Sequence, residues 1–178
     1  MKKLTQHINE AIREGDQGIL DMLNFFAKNM SGYQKALYEK KAKDADSVDV
    51  VPLSEVFDEN EIKEIVRRIH PQPKMCYENA WKLCDRFEFE GKHDIKYCEG
   101  YLNMKGFPIE HAFNKVDGKY VDITIELALK RPIEDTYVVY GEFDTDKVRE
   151  ILLQNGFYGN IYDTIELNKY KENIKDAA

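Results

Sequence analysis

Apolar positions recur at helical spacing through the first quarter of the chain. Ile8, Ile12, Ile19, Leu20, Leu23, Phe26, Ala27, Met30 and Leu37 follow one another at steps of one, three, four or seven residues, with no proline between Leu4 and Ala42. The pattern predicts one short and one long helix, broken near Gly15-Asp16. The stripe dissolves in YEKKAKDADSVD, where charge and small polar residues mark a linker or frayed helix end. A boundary between Asp44 and Asp49 follows, dividing the chain into a helical segment over 1–50 and a body over 51–178. Ile62, Ile65, Val66 and Ile69 then line one face of a helix opened by Asp58, with Glu61 completing a capping box. Pro71-Gln72-Pro73 ends it, because proline cannot continue the hydrogen-bond ladder and restricts the residue before it. The helical pattern restarts at Cys76, Ala80, Leu83, Cys84 and Phe87, so Cys76 is expected at or near a helix N-terminus.

Beyond Gly91 the period changes to two. IKYCEGYLNM, FPIEHAFNKV and KYVDITIEL read as strands, with Asp117-Gly118 as the turn between the last two. TYVVYGEF supplies a fourth strand. DTDKVREILLQNG reads as a short helix capped by Asp144 or Thr145 and stopped at Gly156. Helices first and strands after predict an α+β fold.

With 178 residues and 43% hydrophobic content, the chain can bury a core without disulfide or metal staples. Its net charge of −7 disfavours a broad phosphate-binding surface, so a nucleic-acid partner is not expected. No run approaches the roughly 18–20 apolar residues that span a bilayer, and the first residues are polar where a signal peptide turns apolar, so a cytoplasmic protein without a membrane partner is expected. Cys76, Cys84 and Cys98 form an odd, sparse set, as in a reducing compartment. They offer no close cysteine pair, and the histidines no His pair at zinc spacing, so no metal site is expected. No glycine loop of nucleotide-binding type occurs, and no cofactor is expected. The N-terminal helices are the natural surface for self-association or for capping the body.

The chemistry concentrates on three residues. A thiol at a helix start lies beside unsatisfied N–H groups and the positive end of the helix dipole, both of which favour thiolate. The same N–H groups can receive the oxyanion of a tetrahedral intermediate. His111, in FPIEHAFNKV, is the candidate base. Centring the turn on Asp117-Gly118 makes antiparallel partners sum to about 235, leaving His111 and Asp122 near-diagonal neighbours; a bulge or a three-residue turn is expected to align them. Asn114 is the rival residue for orienting the imidazole, and Gln72 a candidate oxyanion donor. Cys84 and Cys98 read as core, His93 as a solvent-exposed turn residue, and His70 as structural at a helix end. The many tyrosines and phenylalanines of the second half, at strand spacing, read as core and cross-strand pairs.

The series Cys76 in CYENAW, His111 in EHAF and Asp122 in VDIT resembles the transglutaminase-like and papain-like cysteine-triad superfamily, over about Pro71 to Thr124. Phe113 stands where Trp is commoner, and Ile123 where many members carry Pro. The resemblance implies Cys76 as nucleophile, His111 as general base and acid, Asp122 as the residue orienting the imidazole, and a papain- or transglutaminase-like core. It also implies acyl transfer through a thioester, with a protein or peptide-like substrate. The alternative from another class is a binding module that keeps the fold and catalyses nothing.

Overall fold

A computed structural model describes residues 17–87, 91–104 and 107–176. The expected break at Gly15-Asp16 and the apolar positions Ile8 and Ile12 lie outside them. The fold is helices packed on an antiparallel sheet. Helix α1 (17–29) and α2 (Gly32–Asp44) are followed by strand β1 (Asp46–Val48), α3 (Glu59–Ile69) and α4 (Cys76–Phe87). Strands β2 (Ile95–Met104), β3 (Phe107–Val116), β4 (Lys119–Val121) and β5 (Thr136–Phe143) come next, then α5 (Thr145–Asn155) and α6 (Ile161–Asp176). The strands form one five-stranded sheet in the order β1-β5-β2-β3-β4. No helix of the described residues is long and apolar enough to cross a membrane.

Several elements follow their local signals. Asp58 caps α3, accepting from the N–H groups of Asn60 and Glu61 while the Glu61 carboxylate takes the Asp58 N–H. Asp117 and Gly118 adopt φ of 50° and 83°, the left-handed pair that a two-residue hairpin turn requires. Gly156, with φ of 72°, ends α5.

Other elements depart from expectation. The long N-terminal helix is two, parted at residues 30 and 31, where Ser31 is extended and Gly32 takes a positive φ. The segment expected as a linker contains β1, which pairs antiparallel with β5 through Asp46, Ser47 and Val48. Val66 of α3 is exposed, while Ile65 and Ile69 carry the burial. The third expected strand stops at Val121: Asp122 bends the backbone into a helical turn over Thr124–Ala128 instead of continuing to Leu127. Helix α6 has no sustained apolar stripe, and its burial is concentrated in Ile161 and Tyr162.

Three apolar clusters bind these layers. Helices α3, α4 and α5 pack on Ile95, Tyr97, Ala112 and Val116 of the sheet. Ile19, Leu23 and Leu37 of α1 and α2 pack on Tyr101, Val138, Tyr140 and Tyr162, so the N-terminal helices share a core with the sheet and α6. Cys98, Leu102, Phe113, Tyr137 and Val139 meet Ile125 of the helical turn. Gly100 lies opposite His111 in the β2–β3 register, at an irregularity where β2 crosses β5. A Cβ there would sit 1.9 Å from the Val138 carbonyl oxygen, so only glycine fits.

Candidate active site

Cys76 is the first residue of α4, and the turn before it is held from inside the helix. The Asn79 side chain accepts from the Gln72 N–H at 3.1 Å and donates to the Gln72 carbonyl at 2.8 Å, satisfying both main-chain groups of one residue. Its amide also donates to Thr124 Oγ1 at 3.1 Å, joining this turn to the one that carries Asp122. Asn79 is buried.

Asp122 leaves β4 where the chain turns, and the turn is built on its carboxylate. Oδ1 accepts from the N–H groups of Thr124 and Ile125 at 2.8 and 3.1 Å. Oδ2 lies 2.6 Å from His111 Nε2 and accepts the Tyr137 hydroxyl at 2.9 Å. The alignment needs neither a bulge nor a three-residue turn. Partners in β3 and β4 sum to 235 (Asn114 with Val121, Val116 with Lys119), so position 122 falls opposite Phe113. His111, two residues from Phe113, shares its face. An odd separation is therefore what places a diagonal pair on one face here. The His111 and Phe113 rings stack, with centroids 6.4 Å apart.

Nε2 is committed to Asp122, and the same imidazole, with the Ala112 N–H, acts electrostatically on the Cys76 thiol. Burial alone would push the thiol pKa up. The hydrogen bond and charge of His111, with the Ala112 N–H, outweigh it and hold Cys76 below its ordinary value. Burial likewise disfavours imidazolium, but the Asp122 charge and hydrogen bond, together with the thiol, raise His111 to about 10. Burial would also raise Asp122, and His111, the Ile125 N–H and the Tyr137 hydroxyl reverse that, keeping it ionised. The shifts move the pair toward thiolate and imidazolium.

The structure thus brings Cys76, His111 and Asp122 together. It does not bring Asn114 or Gln72 to them. Asn114 projects from the opposite face of β3, where its amide donates to the Ala80 carbonyl at 2.9 Å and to Cys84 Sγ at 3.2 Å, so it cannot orient His111. The Gln72 side chain is turned back onto the His70 carbonyl at 3.0 Å and is exposed. The helix-start N–H groups beside Cys76 are the remaining candidates for oxyanion donors. Cys84 and Cys98 are buried, and burial pushes the Cys98 thiol well up. His93 is not a free turn residue: its ring nitrogens lie 2.6 Å from Asp117 and 3.3 Å from Glu61, tying the hairpin to α3. Tyr137 and Asn79 were not legible as site residues, because strand and helix patterns mark both simply as core positions. Among the described residues no group of three or more His, Cys, Asp or Glu could hold a metal ion.

No protein-family model matches the chain, and no curated protein or solved structure matches it either.

Proposed function

We propose that the protein is a thiol-dependent hydrolase or acyltransferase acting on an amide, isopeptide or ester bond, with a papain- or transglutaminase-like core. The observation that carries this reading is the 2.6 Å contact of His111 with a buried Asp122, beside a thiol at a helix start whose pKa His111 pulls down. The Cys76 thiolate attacks the substrate carbonyl, and the oxyanion that forms is received by N–H groups at the start of α4. The tetrahedral intermediate collapses to a thioester as His111 gives its proton to the departing amine or alcohol. Water or an acceptor amine then loses a proton to His111, attacks the thioester and releases the thiolate. Asp122 keeps the imidazole oriented and stabilises its charge throughout. The free thiols suit a reducing, cytoplasmic setting.

The test is incubation with p-nitrophenyl acetate, followed by mass mapping of the cysteines. The expected result is an acetyl group on Cys76 that turns over in the native protein and fails to form in His111→Ala. An unmodified Cys76 in the folded protein, with p-nitrophenol release no faster than in buffer, would sink the enzyme reading and leave a binding module.

A further inference from the structure

Among the described residues, one edge of β3 beside the nucleophile has no paired strand. β2 pairs with β3 from Phe107 to Val116, whereas β4 pairs with it only from Asn114 to Val116. The direction of the backbone groups follows from the two-residue turn. Val116 and Lys119 flank it as a hydrogen-bonded pair, so even-numbered residues of β3 aim N–H and C=O away from β2. One bond agrees with this alternation, the Asp117 N–H donating to the Asp94 carbonyl on the β2 side at 2.9 Å, and the pull of the Ala112 N–H on the Cys76 thiol is consistent with Ala112 facing the other side. The next groups along that edge are the N–H and C=O of Glu110 and the C=O of Pro108. None of these three bonds to anything among the described residues. Phe107 and Ile109, on the His111 face, are 75% and 45% exposed, and Met75, just before the nucleophile, is 42% exposed.

We infer that the outer edge of β3 binds an extended polypeptide as an added antiparallel strand, running from Cys76 along Glu110 and Pro108 toward Phe107. The inference rests on the acyl-transfer reading above and names its substrate class. An extended main chain offers the alternating acceptor and donor that Glu110 and Pro108 need, whereas an isolated side-chain amide or ester offers one polar group and leaves the rest unmet. Polarity follows from strand direction. β3 runs toward Ala112, so an antiparallel partner starts at the nucleophile, and the residues on β3 are those that follow the attacked carbonyl. Alternate side chains of the added strand then lie over Ile109 and Phe107. Pro108 costs no bond to β2, since its missing N–H faces the outer edge, and there it offers the added strand an acceptor only.

The experiment measures alkylation of Cys76, in which the thiolate displaces iodide, with peptide-length electrophiles on the full chain. Iodoacetyl-Val-Thr-Val-Thr-amide carries its electrophile at the N-terminal end and mimics the leaving-group side. It is expected to react on the order of tenfold faster than iodoacetamide, as befits two or three added main-chain hydrogen bonds. Of two isomers N-methylated at adjacent residues, only the one whose blocked N–H faces β3 loses that gain. Acetyl-Val-Thr-Val-Thr chloromethyl ketone, of reverse polarity, gains nothing over acetyl-Thr chloromethyl ketone. Equal rates for the iodoacetyl peptide and iodoacetamide overturn the inference, as does an equal response of the two methylated isomers. A gain confined to the chloromethyl ketone overturns it too. If iodoacetamide shows no preference for Cys76 over Cys84 and Cys98, the acyl-transfer reading fails beneath it; preference without a peptide gain sinks the strand alone.

Discussion

Asp122 carries four hydrogen bonds on two oxygens, and its environment decides what the neighbouring residues can do. Replacing it by Ala leaves buried donors without partners, at a cost of about 3–5 kcal/mol, whereas Tyr137→Phe removes one donor to a charged group, at about 1.5–3 kcal/mol. Chemical denaturation of both variants beside the native chain checks the ranking; Tyr137→Phe destabilising as much as Asp122→Ala would contradict it. The thiol–imidazole pair makes a second prediction. Because Cys76 is held below its ordinary 9.0, its alkylation rate by iodoacetamide should reach half-maximum below that pH, while the buried Cys98 stays inert. A mass-mapped rate profile between pH 5 and 10 reads this directly, and a Cys76 midpoint at or above 9.0 argues against it. The His111 sign runs the opposite way. Its folded pKa of about 10 lies above that of the unfolded chain, near 6.5, so its stabilisation is complete below about pH 6.5 and is lost as pH rises toward 10. The stability difference between the native chain and His111→Ala should therefore shrink between pH 6.5 and 10. Hairpin spacing placed His111 and Asp122 only as near-diagonal neighbours, and the bulge expected to align them is absent because partners summing to 235 set position 122 opposite Phe113, on the His111 face. Tyr137 was not legible, since it reaches Asp122 from the far side of β2.

At the scale of elements, the nucleophile's helix is held at both ends of its first turn. The Asn79 amide joins the Gln72 backbone to Thr124, so the thiol-bearing turn and the carboxylate-bearing turn are set relative to each other by one buried side chain. Asn79→Ala removes these bonds and is expected to cost about 2–4 kcal/mol, as unsatisfied buried amide groups do, and to slow Cys76 alkylation at pH 7 by loosening its approach to His111. Asn79→Ala with native melting and native alkylation would show that the turn holds itself. The capping box of α3, the start of α4, the hairpin turn and the glycine stop of α5 were readable because each depends on residues within a few positions. β1 was not: three residues in a polar run become a strand only because β5 offers an unpaired edge. The end of β4 was also hidden, as VDITIEL has strand composition and turns only because the Asp122 carboxylate takes two N–H groups of its own following turn.

Across the whole molecule, the N-terminal helices and the sheet behave as one body, although their compositions differ enough to suggest two. Lys41 of α2 is 1% exposed, with its ammonium 3.1 Å from Glu110 and 2.8 Å from Asp163 and over the Tyr140 ring at 4.7 Å. It ties α2 to the residue next to His111 and to the first turn of α6. That turn is anchored again by Glu99, whose buried carboxylate accepts the N–H groups of Ile161 and Tyr162 at 3.0 and 2.9 Å. Neither contact is visible in local periodicity, since Lys41 sits in a charged run and Glu99 in an alternating strand. Fully burying an aliphatic side chain contributes about 1.5–3 kcal/mol, and Ile19, Leu23 and Leu37 are all buried against the sheet and α6. Their loss would remove much of the roughly 5–15 kcal/mol by which a domain of this size is stable. A chain beginning at Asp46 keeps β1 and the whole Cys76–His111–Asp122 site but leaves Tyr101, Val138, Tyr140 and Tyr162 uncovered and Glu110 and Asp163 without their cation. Such a chain should bind a hydrophobic dye and melt over a broad range, while the full chain melts in one transition and binds none. A sharp melt of the shortened chain near the native temperature would instead make the helices a separable attachment, and the cluster they share with the sheet a minor contributor to stability.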